Sequence, residues 1–197
     1  MTGKSALRQA IRRQRAALDP LTAAAETAVS VALAWEILHR FATDHLASYV
    51  AIGSELALSS LHERWWALGL PVWLPRVVDG STLTWHPVRS EAELMPGSFG
   101  IQEPDPARVP ARALPIGTLI LVPGVGFTAT GDRLGQGKGY YDRVLAGPDL
   151  GPAIGVCYSC QLVPELPVEV HDRRLAGVIA GGRWLPSGVI PNDAIER

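Results

Sequence analysis

Residues 116 to 145 read Ile116-Gly-Thr-Leu-Ile-Leu-Val-Pro-Gly-Val-Gly-Phe-Thr-Ala-Thr-Gly-Asp-Arg-Leu-Gly-Gln-Gly-Lys-Gly-Tyr-Tyr-Asp-Arg-Val-Leu145. Thr118 to Val122 is an uncharged apolar run that stops at Pro123 and Gly124, the pattern of a strand buried on both faces. Such a strand belongs to a parallel sheet covered by helices. Glycines follow at 124, 126, 131, 135, 137 and 139, interleaved with Arg133 and Lys138, and the chain then turns into a predicted helix over 140–145. Glycine lets backbone N–H groups approach a ligand closely, and a helix N-terminus adds partial positive charge. The expected guest is an anion.

Two familiar phosphate loops fail here. Gly124-x-Gly126-x-x-Ala129 imitates a dinucleotide fingerprint, but Thr130-Gly131-Asp132 stands where the helix should open. A Walker loop needs Ser or Thr after its lysine and a glycine five places before the final one; Lys138 is followed by Gly139, and Asp132 holds the other place.

Gly131-Asp-Arg-Leu-Gly-Gln-Gly-Lys-Gly-Tyr-Tyr-Asp-Arg143, preceded by Val122-Pro-Gly-Val-Gly-Phe127, resembles the signature of the 5-formyltetrahydrofolate cyclo-ligase family, the methenyltetrahydrofolate synthetases. The resemblance runs through nearly the whole chain and is densest at 122–145 and 161–172. It implies an ATP- and Mg²⁺-dependent enzyme that cyclises 5-formyltetrahydrofolate to 5,10-methenyltetrahydrofolate, releasing ADP and phosphate through a phosphorylated formyl group. It also implies roles for particular residues. Lys4 and Arg8 match the Lys-x-x-x-Arg of an opening helix that contacts ATP, and Arg133, Leu134, Gly135, Gln136, Gly137, Lys138, Gly139, Tyr140 and Tyr141 form the nucleotide loop. Val50 and Glu55 match folate contacts, joined there by Gly137, Lys138, Gly139 and Tyr140. Arg133, Lys138 and Tyr140 are the expected catalytic groups, and Asp142 and Asp172 the expected Mg²⁺ carboxylates. For Tyr140 and Tyr141 core packing is the alternative, and for Asp172 a turn or cap.

Thr128 departs from the family by replacing an Asp, and Ala176 by replacing an acidic residue. These departures motivate two rival expectations: a nucleotide- or folate-binding homologue without turnover, and an ATP-dependent enzyme acting on another N-formyl or pterin compound.

Length and composition agree with one domain spanning 1–197. Net charge is −1, with 47% hydrophobic and 19% charged residues, so the chain is globular and carries no global charge for nucleic acid or an anionic membrane. No secretory leader is visible after the basic start, and the longest uncharged stretch, Ala113 to Gly131, is broken by prolines and glycines. A cytoplasmic protein is expected, a monomer or weak homodimer with a small-molecule substrate and no nucleic-acid or membrane partner. Cys157 and Cys160 form a lone Cys-x-x-Cys, read as structural because no second pair or nearby His completes a metal set.

The remaining elements are predicted in order. Residues 2–18 form a helix stopped by Asp19-Pro20, with Leu7, Ile11 and Leu18 on its apolar stripe. Lys4, Arg8, Arg12 and Arg15 line a basic edge; Arg12 and Arg15, together with Arg13 outside that edge, read as surface. Leu21 to Arg40 is a second helix with a stripe of Val29, Leu33, Ile37 and Phe41. Leu46 to Ile52 is a strand, then comes the turn Gly53-Ser54-Glu55, and Leu58 to Leu68 is a helix. A carboxylate at such a turn serves either a ligand or the helix dipole. Pro71–Val77 and Leu83–Val88 make a hairpin across Asp79-Gly80. Met95 to Pro104 is a Gly/Pro-rich loop that also resembles the family, which implies that Phe99, Gly100 and Glu103 lie near the site. Ala153–Tyr158 and Val178–Ala180 are the last strands. Together these give a three-layer, Rossmann-like α/β domain with a mostly parallel central sheet and helices on both faces.

Overall fold

The computed structural model describes residues 3–80, 82–97, 101–147, 150–167, 169 and 172–188. In chain order the elements are α1 (Gly3–Ala16), α2 (Pro20–Arg40), β1 (Leu46–Ala47), α3 (Ser59–Ala67), β2 (Val72–Val78), β3 (Thr82–Val88), β4 (Leu94–Pro96) and β5 (Gln102–Pro104). Then follow β6 (Leu119–Val122), β7 (Gly126–Phe127), β8 (Arg133–Leu134), α4 (Tyr140–Leu145), β9 (Ala153–Cys157), β10 (Gly177–Ala180) and β11 (Arg183–Pro186).

Seven strands form one sheet in the order β11-β10-β9-β6-β1-β2-β3. The inner five are parallel, and β3 and β11 close the two edges as antiparallel hairpin partners. Side chains alternate across a strand, so β6 sends Leu119 and Leu121 to one face and Ile120 and Val122 to the other. The first face is covered by Val31, Ala34, Ile37 and Leu38 of α2 and Leu61 and Trp65 of α3. Tyr141, Val144 and Leu145 of α4 cover the second. All four β6 side chains are essentially sealed from water, each worth about 1.5–3 kcal/mol of burial. The three-layer arrangement expected from the sequence is therefore observed.

Asp19 starts α2 by accepting the Thr22 N–H at 2.9 Å, with Pro20 at the first helical position, where its missing donor costs nothing. Although α2 is long and apolar enough to cross a bilayer, it lies on the sheet through Ser30, Val31, Ala34, Ile37 and Leu38. That face is rotated from the expected stripe, and Val29 is half exposed. Alanines on every side leave the helix with little directional preference, so packing against the sheet chooses the face.

Several loops are more ordered than expected. Residues 95–104 contain the β4–β5 pair, with Phe99 and Gly100 outside the described residues. The glycine-rich stretch folds into the β7–β8 hairpin, and β10 continues into β11. Phe127, fully buried, explains two glycines: a Cβ on Gly124 or Gly155 would lie 2.5 or 2.6 Å from its ring. Gln161, also buried, clamps the hairpin base by donating to the Gly124 and Val125 carbonyls at 2.9 and 3.0 Å.

Candidate functional site

Strand order reverses between β1 and β6, because the chain builds outward from β1 to β2 on one side and from β6 to β9 on the other. Ligands of open α/β sheets bind at such a switch, beyond the carboxyl ends of the strands. A cavity of about 290 Å³ lies there. Tyr49, Val50 and Glu55 from the segment after β1 form one wall, and Arg133, Lys138 and Tyr141 from the glycine loop and α4 form another. Pro75, Val77, Leu83 and Ile101 supply a largely apolar floor of the kind that suits a flat ring. A second cavity of about 340 Å³, near His62 and Trp66, shares only the Tyr49, Val50 and Gln102 wall and holds none of the glycine loop.

The β1 ladder ends at Ala47, earlier than the predicted 46–52, because the chain leaves the sheet to build this wall. Tyr49 donates to the Leu56 carbonyl at 2.9 Å and closes the intervening turn. The Ile52 N–H donates to Glu55 Oε2 at 3.1 Å, so the carboxylate faces back toward the cavity rather than capping α3, whose cap position is Leu58. The Glu55 side chain is only 7% exposed, and burial raises its pKa above the ordinary glutamate value; Arg15, 3.9 Å away, opposes that only in part. Arg15 is a correction to the sequence expectation. It is buried, its Nε bonds to Ser54 Oγ at 3.0 Å, and a surface guanidinium would have had no such partners.

The loop tip is held from α1. Arg8 Nε donates to the Gly135 carbonyl at 2.9 Å, and Arg12 bonds to the Gln136 side chain. Gln136 in turn donates to Glu55 Oε1 at 3.0 Å. Gly137 and Gly139 both take positive φ, at 96° and 69°, and Lys138 between them is exposed at the rim. Leu134 is buried under α1 with Ile11 and Val125, a packing residue of the loop rather than a cavity contact. Since α4 has only six residues, its N-terminal charge is slight, and side chains carry most of the positive potential.

Arg133 is largely buried, pairs with Asp142, and also donates to the Pro123 carbonyl at 3.2 Å. Its guanidinium lies 5.7 Å from the Tyr141 ring centre. Tyr140 donates to the Gly80 carbonyl at 2.8 Å, tying α4 to the β2–β3 turn. Lys4 lies outside the cavity wall, in an ion-pair cluster with Glu169 at 2.7 Å and Asp172 at 3.7 Å. Asp172 also accepts the Glu169 N–H at 2.8 Å. Asp142 and Asp172 thus answer to different cations, and among the described residues no three His, Cys, Asp or Glu side chains converge as a metal cluster. Asp142, 38% exposed on the cavity wall, is the carboxylate that fits a hard cation needing one or two protein oxygens beside phosphate and water.

The two departures lie away from the cavity. Thr128 is buried in the turn between β7 and β8, where its hydroxyl bonds to Asp132 at 3.0 Å and accepts the Asp132 N–H at 3.0 Å. Ala176 is buried just before β10, a place where an unpaired carboxylate would be costly. Cys157 is buried in the core, and burial pushes its thiol pKa up, as expected of a structural cysteine. Tyr49, Ile101, Gln102 and the floor residues were not foreseen, because a cavity wall contributed by several separate segments leaves no local pattern. Glu103, expected as a neighbour, does line the cavity and pairs with Arg76 at 3.4 Å.

The model of the 5-formyltetrahydrofolate cyclo-ligase family matches residues 1–181. A 5-formyltetrahydrofolate cyclo-ligase of Mycolicibacterium smegmatis is 32% identical over 146 residues, covering 71% of this chain and 75% of that protein. One from Escherichia coli is 33% identical over 144 residues, covering 68% and 76%. The NMR structure of Aquifex aeolicus 5,10-methenyltetrahydrofolate synthetase superposes with a TM-score of 0.77 at 28% identity, covering 94% of this chain and 93% of the other. The Mycoplasma pneumoniae synthetase, 22% identical with a TM-score of 0.66, shares the fold.

Proposed function

The chain belongs to the 5-formyltetrahydrofolate cyclo-ligase family, and we propose that it is the ligase that closes 5-formyltetrahydrofolate to 5,10-methenyltetrahydrofolate at the expense of ATP and Mg²⁺. The observation that carries the proposal is the meeting of Glu55 and the glycine loop across one apolar-floored cavity at the sheet switch point. Glu55 offers an acceptor for the N–H groups of a pteridine, and the floor offers it a flat surface.

A formamide oxygen is a poor leaving group until it is phosphorylated. In the proposed reaction the formyl oxygen forms a bond to the γ-phosphorus of ATP while the bond to ADP breaks. Nitrogen 10 then adds to the formyl carbon, and phosphate leaves with the former formyl oxygen and takes up the proton that nitrogen 10 gives up. Arg8, Lys138 and the Gly137 to Gly139 backbone orient the triphosphate and offset its charge; Arg133 holds Asp142 in place beside it. Bound Mg²⁺ would neutralise phosphate charge, held by Asp142, with Asp172 contributing from the Lys4 cluster. No side-chain nucleophile or general base is needed. A single cytoplasmic domain acting without nucleic acid or membrane completes the proposal.

Purified protein mixed with ATP, Mg²⁺ and 5-formyltetrahydrofolate should develop the methenyl chromophore, with one ADP released per ring closed. ATP binding without product would mean a binding homologue, and phosphate release only with other formamides would mean a different substrate.

A further inference from the structure

Among the described residues only three buried side-chain polar atoms lack a hydrogen-bond partner, and two of them, Trp65 and Trp73 Nε1, do not line the cavity. The third is the hydroxyl of Tyr141, a residue of the cavity wall. Its ring is fixed on both sides, edge-on to Trp85 at 6.5 Å and beneath Arg133. A buried hydroxyl left without a partner is costly, so its persistence at a concave site marks a bond reserved for a ligand.

We propose that the Tyr141 hydroxyl donates a hydrogen bond to the formyl oxygen of the bound substrate and is the group that distinguishes a formylated from an unformylated ring. The proposal rests on the cyclo-ligase reading. Ligand N–H groups have a stronger acceptor in the same cavity, the Glu55 carboxylate, so the hydroxyl is left for a ligand acceptor. Tyr141 follows directly on the glycine loop and lies under the Arg133 that holds Asp142, at the end of the cavity where phosphate charge is to be neutralised. The substrate oxygen that must face that end is the formyl oxygen, since it is the atom that meets phosphorus. A carbonyl oxygen has two lone pairs. One accepts the Tyr141 proton while the other points at the phosphoryl group, which also fixes the rotation of the formyl group about its C–N bond.

The test is the conservative variant Tyr141→Phe, which keeps ring and packing and removes only the hydroxyl. Dissociation constants for 5-formyltetrahydrofolate and for tetrahydrofolate are measured by fluorescence titration without ATP, beside a thermal melt. The expected result is a parent that prefers the formylated compound, a variant in which that preference shrinks on the order of tenfold with tetrahydrofolate binding unchanged, and a melting temperature equal to or above the parent's. An unchanged preference, or equal weakening toward both compounds, overturns the role of Tyr141 while leaving the cyclo-ligase reading intact. A parent that binds neither compound overturns that reading and this proposal with it.

Discussion

Gln136 and Glu55, 81 residues apart in sequence, are joined by a 3.0 Å hydrogen bond that closes the glycine loop onto the turn after β1. The amide N–H of Gln136 takes the acceptor that an amino group on a pteridine would need. Gln136→Ala should therefore tighten 5-formyltetrahydrofolate binding by about threefold, whereas Glu55→Gln should weaken it by tenfold or more, since a hydrogen bond to a charged partner is worth about 1.5–3 kcal/mol. Equilibrium titration of the two variants decides. Weaker binding by Gln136→Ala would make Gln136 a ligand contact instead of a competitor.

Burial holds the Glu55 carboxyl above its usual pKa, so the native state keeps that proton more tightly than the unfolded chain. Its burial costs stability above the raised pKa, and the cost fades as pH falls through it. Protonation removes the charge and turns one acceptor oxygen into a donor, so KM for the folate should climb on acidification, starting at a higher pH than for an ordinary glutamate. Glu55→Gln should lack that limb of the KM profile.

His62, buried beside Ser48 Oγ at 2.8 Å, has its pKa lowered by burial from 6.5 to about 4. The unfolded chain binds a proton between those values and the native state does not, so stability should fall as pH drops across that window and level off below it. The total is roughly 3 kcal/mol at 1.36 kcal/mol per pKa unit. Urea melts from pH 7 to pH 4 should show this slope in the parent and lose it in His62→Gln.

Lys138→Ala should lower kcat by on the order of 100-fold if the lysine meets developing phosphate charge. Asp142→Asn should raise the Mg²⁺ concentration needed for half-maximal rate. Chromophore assays across an Mg²⁺ series separate the two effects, and an unchanged Mg²⁺ requirement would remove Asp142 from the metal.

A methyl group on Gly155 would lie 2.6 Å from the Phe127 ring. Gly155→Ala should cost about 1–3 kcal/mol through overpacking. Adding Phe127→Leu should recover part of the loss, a coupling that a double-mutant cycle of melting data measures.

The β6 strand, the stop of the first helix at Asp19-Pro20 and the glycine loop could be read from the chain because each is a local pattern with a local cause. Glu55 was readable as a carboxylate of either a ligand turn or the α3 terminus, because strand, turn and charge are adjacent in sequence, and the fold turns it to the cavity wall. Arg15 was not, since nothing near it reveals a partner 40 positions away at Glu55. The buried face of α2 was misjudged for want of contrast among its alanines. Pairing of Asp142 with Arg133, and the separate attachment of Asp172 to Lys4, follow from how loops meet in space, which periodicity does not report.

The stem of the β7–β8 hairpin is fastened to the sheet side by Gln161 and by the Val163 N–H, which donates to the Phe127 carbonyl at 2.8 Å. The glycine loop that follows β8 hangs on Arg8 and Arg12 of α1, which bond Gly135 and Gln136. That loop is thus governed by the first helix. A protease cut near Asp19 that frees this helix should leave the sheet's amide protons slow to exchange while those of 135–139 wash out quickly, inactivating the catalyst without unfolding it.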